Sequence, residues 1–236
     1  MSLIDIIRDA QSRGLIDEDE GRVELELLPG LKAGEIEEFR RSLPCPVPPE
    51  IRELLRFTCG FEGTAAETVD FTGRGMSFEH EAVFPHGLPI ESDGYGNFWV
   101  VDLTPESTKF GPIWFACHDA PVILYQSSGL SDFLIELFKM SHPPFESLVD
   151  DVHEDRIRNV WRSNPGVISY EECGDSPDAS LREFAVGLDP SYQMIDLRNA
   201  RPGDGFSWGR YGADTVIRRH GHEPVFAYQK KAGDFA

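Results

Sequence analysis

From residue 35 onward the apolar positions recur every three or four residues. Ile36, Phe39 and Leu43 fall near one face of a helix expected over Glu35–Leu43. Ile51, Leu54 and Leu55 point inward on a second helix, Glu50–Thr58, with Arg52, Glu53 and Arg56 outward. Between them Pro44-Cys45-Pro46-Val47-Pro48-Pro49 breaks the chain, because proline lacks an amide donor and restricts its predecessor. Pro49 suits the first turn of the second helix, and Gly60 is expected to supply its left-handed stop. The period then changes. Glu67–Phe71 alternates as a strand, and a turn at Gly73-Arg74-Gly75 leads toward Ala82–Phe84. Asn97–Leu103, Pro112–Cys117 and Val122–Tyr125 are dense in aromatic and β-branched residues, as strands are. Their links are too short for parallel crossovers, which predicts antiparallel neighbours. Gly129–Met140 returns to helix, capped by Ser131, with Phe133, Leu134, Leu137 and Phe138 as its buried stripe. Helices, a strand meander and a closing helix predict an α+β fold, with helices packed on a largely antiparallel sheet.

Met1–Gln11 reads as a short amphipathic helix, since Asp5, Arg8 and Asp9 interrupt the apolar run that a signal peptide needs. The acidic run Asp17–Glu20 reads as a solvated turn. Ser141–Pro144 marks an expected boundary between a domain at 1–144 and a small α/β extension at 145–236. The extension carries helical patterns around Asp151–Trp161 and Pro177–Val186, and candidate strands at Tyr192–Leu197, Thr215–Arg219 and Pro224–Tyr228. No apolar run is long enough to cross a bilayer, so a soluble, cytoplasmic protein is expected. Cys45, Cys59, Cys117 and Cys173 are widely spaced with no C-x-x-C pair, which predicts free thiols rather than a zinc or redox site.

Charge adds the first functional information. The formal net charge is −19, from 41 acidic and 22 basic residues among 236. It is uneven: residues 1–150 hold 27 acidic against 11 basic side chains, and residues 151–236 hold 14 against 11. Such a field repels phosphate backbones and disfavours direct nucleic-acid binding. It would steer a basic protein partner toward the N-terminal region.

Four segments, in order, resemble the SUKH superfamily, which contains yeast cell-wall-synthesis regulators and many bacterial immunity proteins. The first is Pro48-Pro49-Glu50-Ile51-Arg52-Glu53-Leu54-Leu55 followed by Cys59-Gly60-Phe61, where Cys59-Gly60 stands in place of the usual asparagine-glycine pair. The second is Asp93-Gly94-Tyr95-Gly96-Asn97-Phe98-Trp99-Val100-Val101-Asp102, similar to a glycine-rich turn entering a central strand. The third is Gly111-Pro112-Ile113-Trp114-Phe115 with His118-Asp119, and the last is Ser131-Asp132-Phe133-Leu134. The resemblance covers about 40–140. It implies a non-enzymatic protein-binding module, with toxin neutralisation or a regulatory scaffold role as its two forms.

The residues carry physical readings of their own. Gly94 and Gly96 permit positive φ, and Asp93 can bond its own turn. Trp99 and Trp114 are expected to form a cross-strand aromatic pair. Asp102 ends its strand and is expected to satisfy the turn amides that follow. Loops on a rigid sheet are good places for partner contacts, so Glu91, Asp93, Tyr95, Asn97, Trp99, Asp102 and Asp119 form the candidate partner-binding set. No catalytic residue, metal ligand or cofactor site is selected. His118-Asp119 lacks the further helical ligands of a phosphohydrolase metal pair, and His220-Gly221-His222 lacks a flanking ligand cluster. The Asp93–Asn97 segment lacks a calcium loop's terminal glutamate and a dinucleotide loop's third glycine, and no G-x-S-x-G occurs. An enzyme using an unrecognised site in 145–236 is the remaining alternative.

Overall fold

The computed structural model describes residues 1–16, 21–64, 68–76, 78, 80–105, 107–117, 121–208 and 215–229. Asp17–Glu20, Glu67 and the His118–Asp119 pair therefore lie outside the described residues.

The N-terminal helix α1 spans Leu3–Arg13, opened by a capping box in which Ser2 and Asp5 satisfy each other's amides. Short strands β1 (Leu15–Ile16), β2 (Arg22–Val23) and β3 (Glu26–Leu27) follow, then helices α2 (Ala33–Ser42) and α3 (Pro49–Phe57). Pro49 occupies the first turn of α3, as its fixed φ favours, and Ile51, Leu54 and Leu55 are buried. Strands β4 (Gly60–Glu62), β5 (Thr68–Asp70), β6 (Gly87–Ser92), β7 (Phe98–Asp102), β8 (Ile113–Cys117) and β9 (Val122–Ser127) form an antiparallel meander closed by α4 (Leu130–Lys139). The remainder holds a continuous helical run, α5 (Leu148–Asp150), a π-helical turn (Asp151–Arg156) and α6 (Ile157–Ser163), followed by α7 (Tyr170–Gly174) and α8 (Ala179–Val186). It ends in β10 (Tyr192–Asp196), β11 (Gly205–Ser207), β12 (Ile217–Arg219) and β13 (Val225–Gln229).

The main sheet has eight strands in the order β11-β9-β8-β7-β6-β5-β4-β3, and β10-β13-β12 form a second sheet. Three apolar clusters show how they stack. One face of the main sheet, carrying Phe61, Ile90, Trp99, Phe115 and Leu124, packs under α1–α6. The other face, carrying Val100, Trp114 and Ala116, packs on Ile195, Phe226 and Tyr228 of the second sheet. The far side of that second sheet is closed by Cys173, Leu181 and Phe184 from α7 and α8. The result is an α+β architecture with a largely antiparallel sheet, whose second face is covered by the second sheet with α7 and α8. Because both faces are covered, every residue of β8 is buried and the alternation typical of a half-wet sheet disappears. The four cysteines are free thiols.

Several expectations require correction. Trp99 and Trp114 do not pair: Trp99 lies opposite Phe115, and Trp114 lies opposite Val100. Successive strand residues face opposite sides, so the two indoles lie in different cores. Trp99 contacts Phe115 at 4.9 Å between ring centroids, and Trp114 meets Tyr125 edge-on at 5.3 Å. Ala82–Phe84 is a turn held by amides of Val83 and Phe84 donating to the His80 carbonyl, and the strand begins at Gly87 instead. Ser131 lies inside α4; its N-cap is Gly129. Gly60 does not stop α3 in a left-handed conformation. It is the first residue of β4, and a Cβ there would lie 1.9 Å from the Val69 carbonyl oxygen. Glycine is needed for close strand approach, so Gly60→Ala should destabilise the fold by about 2 kcal/mol. Urea denaturation reads this directly; an unchanged midpoint would mean that β4 and β5 separate without cost.

Candidate functional site: the β6–β7 turn

The turn between β6 and β7 is built by one carboxylate. Asp93 Oδ1 accepts the backbone amides of Tyr95 (2.9 Å) and Asn97 (3.1 Å), while Oδ2 accepts the Asn97 side-chain amide. Gly94 and Gly96 have φ of 75° and 89°, a region that residues with a Cβ seldom occupy, which allows the chain to reverse this tightly. Burial alone would push the Asp93 carboxyl up. The bonds from Asn97, the Tyr95 amide and His153 outweigh it and hold the group below the usual carboxylate range. The turn therefore carries a fixed negative charge and lifts Tyr95, which is 82% exposed, away from the sheet.

Glu91 and Trp99 face each other across β6 and β7 beneath this turn. Glu91 is 1% exposed, its Oε2 has no hydrogen-bond partner among the described residues, and burial together with the nearby Asp93 charge pushes its carboxyl well above the ordinary value. The Trp99 indole is buried and donates from Nε1 to Gln126 Oε1 at 3.2 Å. His153, from the π-helical turn, sits 5.6 Å from the Trp99 ring and 5.3 Å from Phe115, and its Nε2 donates to Asp93 Oδ2 at 3.2 Å. Asp102 is also interior. Its two oxygens are gripped by Arg219 Nη1 (2.9 Å) and Nη2 (2.7 Å), so it serves a residue far along the chain and not the turn that follows β7.

Of the candidate partner-binding residues, the structure brings Asp93, Tyr95 and Asn97 together at the turn. Glu91, Trp99 and Asp102 lie in the interior, where they offer a partner no surface. Asp119 is outside the described residues. A Glu91→Lys change would disturb packing before it altered surface charge. Sequence reasoning missed His153, Gln126 and Arg219. No signal marked Glu91 as buried, because Gly87 and Pro89 weaken the strand pattern of Leu88-Pro89-Ile90-Glu91. His153 shares the helical spacing of the buried Val149 and Val152, which marks an inward face, but its partner Asp93 lies 60 residues away and left no local signal.

Near the turn, the helical run contributes Asp150, Asp151, Glu154 and Asp155, of which Asp151 pairs with Arg156 and Glu154 with Arg158. His86 and His222 lie 6.4 Å apart between ring centroids, and His220 packs on Phe184 at 5.0 Å. Among the described residues no group of three or more His, Cys, Asp or Glu side chains is arranged to hold a metal ion. No helix among them is long and apolar enough to cross a membrane.

Helices packed on an antiparallel meander, entered by a proline-started helix and carrying a glycine-rich turn before a central strand, define an α+β fold of the SUKH type. Residues 30–136 match the SMI1 / KNR4 family (SUKH-1), a match that supports membership of the SUKH superfamily. The matched span runs from just before α2 into α4 and contains the Asp93–Asn97 turn, while His153 and Arg219 fall beyond it. No curated protein and no solved structure matches the chain.

Proposed function

We propose that this chain is a non-enzymatic, cytoplasmic protein-binding module of the immunity type, which neutralises a basic toxin domain by covering the surface that would hold its nucleic-acid substrate. The observation that carries this reading is a hydrogen-bonded, charged turn presenting an exposed tyrosine on a strongly acidic chain. Tyrosine is a favoured interface anchor, because it adds large contact area at little entropic cost. The surrounding carboxylates favour rapid encounter with a cationic partner, and the same field opposes direct contact with nucleic acid. Asp93, Tyr95 and Asn97 form the contact edge. Glu91 and Trp99 lie beneath it.

The test uses basic nuclease toxin domains as probes, beginning with any that is encoded beside this chain's gene. Tyr95→Ala should weaken binding about 30-fold, mainly through faster dissociation. Lysines at Glu154 and Asp155 should slow association at low salt and flatten its salt dependence. Surface plasmon resonance across ionic strength reads both effects; an unchanged dissociation rate in Tyr95→Ala would remove the turn from the interface. The family's cell-wall-synthesis regulators favour a second reading, a scaffold that uses the same turn on a non-toxin partner. A basic toxin domain that this chain neither binds nor inhibits would favour that second reading.

A further inference from the structure

We infer that His153 is a positioning residue that latches the Asp93–Asn97 turn onto the sheet, so that the helical run beyond the family-matched region controls how Tyr95 is presented. What this means for recognition rests on the function proposed above; the latch itself does not.

The turn's own bonds are local. Asp93 Oδ1 serves the amides of Tyr95 and Asn97, and Asn97 reaches Oδ2 from within the same five residues. With two positive-φ glycines, such a loop retains many alternative conformations. One bond reaches the turn from far along the chain, that of His153 Nε2 to Asp93 Oδ2, across 60 residues.

The imidazole is well fixed for this task. It is wedged against Trp99 and meets Phe115 edge-on at 84°, and its Nδ1 lies 3.3 Å from Glu154 Oε1. The helix carrying it is π-helical over Asp151–Arg156, and its inward side sets His153 beside the fully buried Val149 and Val152. Wide turns of this kind concentrate at functional positions. Both ends of the run are registered. At its start, Gln126 links the Trp99 indole to the Leu148 carbonyl, and Glu136 takes the Ser147 hydroxyl on its carbonyl and the Leu148 amide on its carboxylate. At its end, Arg156 lies so close to Gly203 that a Cβ there would come within 2.6 Å of Arg156 Cγ. The charged groups around the imidazole are Asp93, Glu154 and Asp150, and the buried Glu91 lies beneath the same turn. Glu91 has an unpartnered oxygen and lies close enough to feel the Asp93 charge, so the donor from His153 stabilises Asp93 where its neighbour does not.

Amide hydrogen exchange of the full-length chain, resolved by NMR, tests the latch without any partner. His153→Phe keeps a ring against Trp99 and Phe115 but removes the donor. It should speed exchange at Tyr95 and Asn97 about tenfold, with Trp99–Val101 and Phe115 unchanged. His153→Gln places an amide donor near the position of Nε2 and should restore most of the protection at the turn. Exchange at Tyr95 and Asn97 that stays within about twofold of wild type in His153→Phe would overturn the latch. So would equal loosening in both variants, because packing and not the hydrogen bond would then be responsible. If the turn loosens as expected and partner affinity does not change, the recognition reading fails and the latch stands.

Discussion

Replacing Arg219 with methionine should cost about 3–5 kcal/mol of stability, the range found when one partner of a buried ion pair is removed. The guanidinium is 5% exposed and Asp102 is 3% exposed. Besides gripping both Asp102 oxygens, Arg219 donates to the carbonyls of Val83 (3.0 Å), Glu223 (3.0 Å) and His222 (2.8 Å), and it lies 5.5 Å from the Phe226 ring centroid. One side chain thus joins β12 of the second sheet to β7 of the main sheet and to the turn before β6. Methionine fills similar volume but strips the interior carboxylate of its guanidinium, leaving only His86 and His222 as cationic neighbours. Burial already pushes the Asp102 carboxyl up, against the pull of Arg219. Without that pull the group should take up a proton in the fold more readily than in the unfolded chain. The sign follows: a raised folded value stabilises at low pH and is lost as pH rises, so the deficit of Arg219→Met should shrink on acidification. Asp102→Asn combined with Arg219→Met should recover part of the loss, because the stranded charge is gone, though the three carbonyls stay without their donor. A double-mutant cycle by urea denaturation measures the coupling. A cost below about 1 kcal/mol, independent of pH, would show that the pair behaves as an exposed surface contact.

The helices were legible because spacing and proline placement act locally. Ile51, Leu54 and Leu55 share a face whatever packs on it, and Pro44–Pro49 ends one helix and begins the next. The strands β7, β8 and β9 were legible by aromatic and β-branched density, and their short links gave the antiparallel order. Sidedness was not legible. A strand buried on both faces loses its polar alternation, so nothing in Phe98–Asp102 or Ile113–Cys117 says which indole faces which core. β6 was hidden because Gly87 and Pro89 weaken a strand pattern, and the irregularity between Pro89 and Glu91 shifts its register. At the site, the Asp93 turn was readable from its glycines and acid, since those bonds span four residues. The partners of Asp102 and Asp93 from the far half of the chain were not, because separations of 117 and 60 residues are closed by tertiary packing alone. The position of Glu91 was also misleading. A carboxylate beside a candidate surface loop reads as surface charge, and only the fold shows it turned inward under Trp99.

Glu91→Gln should stabilise the protein increasingly as pH rises. Burial comes first and the Asp93 charge second in pushing the Glu91 carboxyl well above 4.5, its ordinary value. The folded chain therefore keeps the proton at pH values where the unfolded chain has released it. That contribution is fully present below about 4.5 and is lost as pH rises toward the folded value, with a limiting slope of about 1.4 kcal/mol per pH unit. An amide does not titrate, so the stability difference between Glu91→Gln and wild type should open above pH 4.5 and widen toward neutrality. Glu91→Met supplies the control for the orphaned oxygen. It removes every polar atom at similar length, so it should share the widening with pH and add a pH-independent gain, since Oε2 no longer lies buried without a partner. Urea titrations from about pH 4 to pH 8 measure both differences, with the window set by the ordinary and raised values of a carboxyl group. Parallel curves for wild type and Glu91→Gln would mean that Glu91 ionises in the fold as it does in the unfolded chain, which in turn would require water or a cation against Oε2. Tyr95 is exposed, so a change in partner affinity in these variants could arise only through the turn that Asp93 holds above the buried acid.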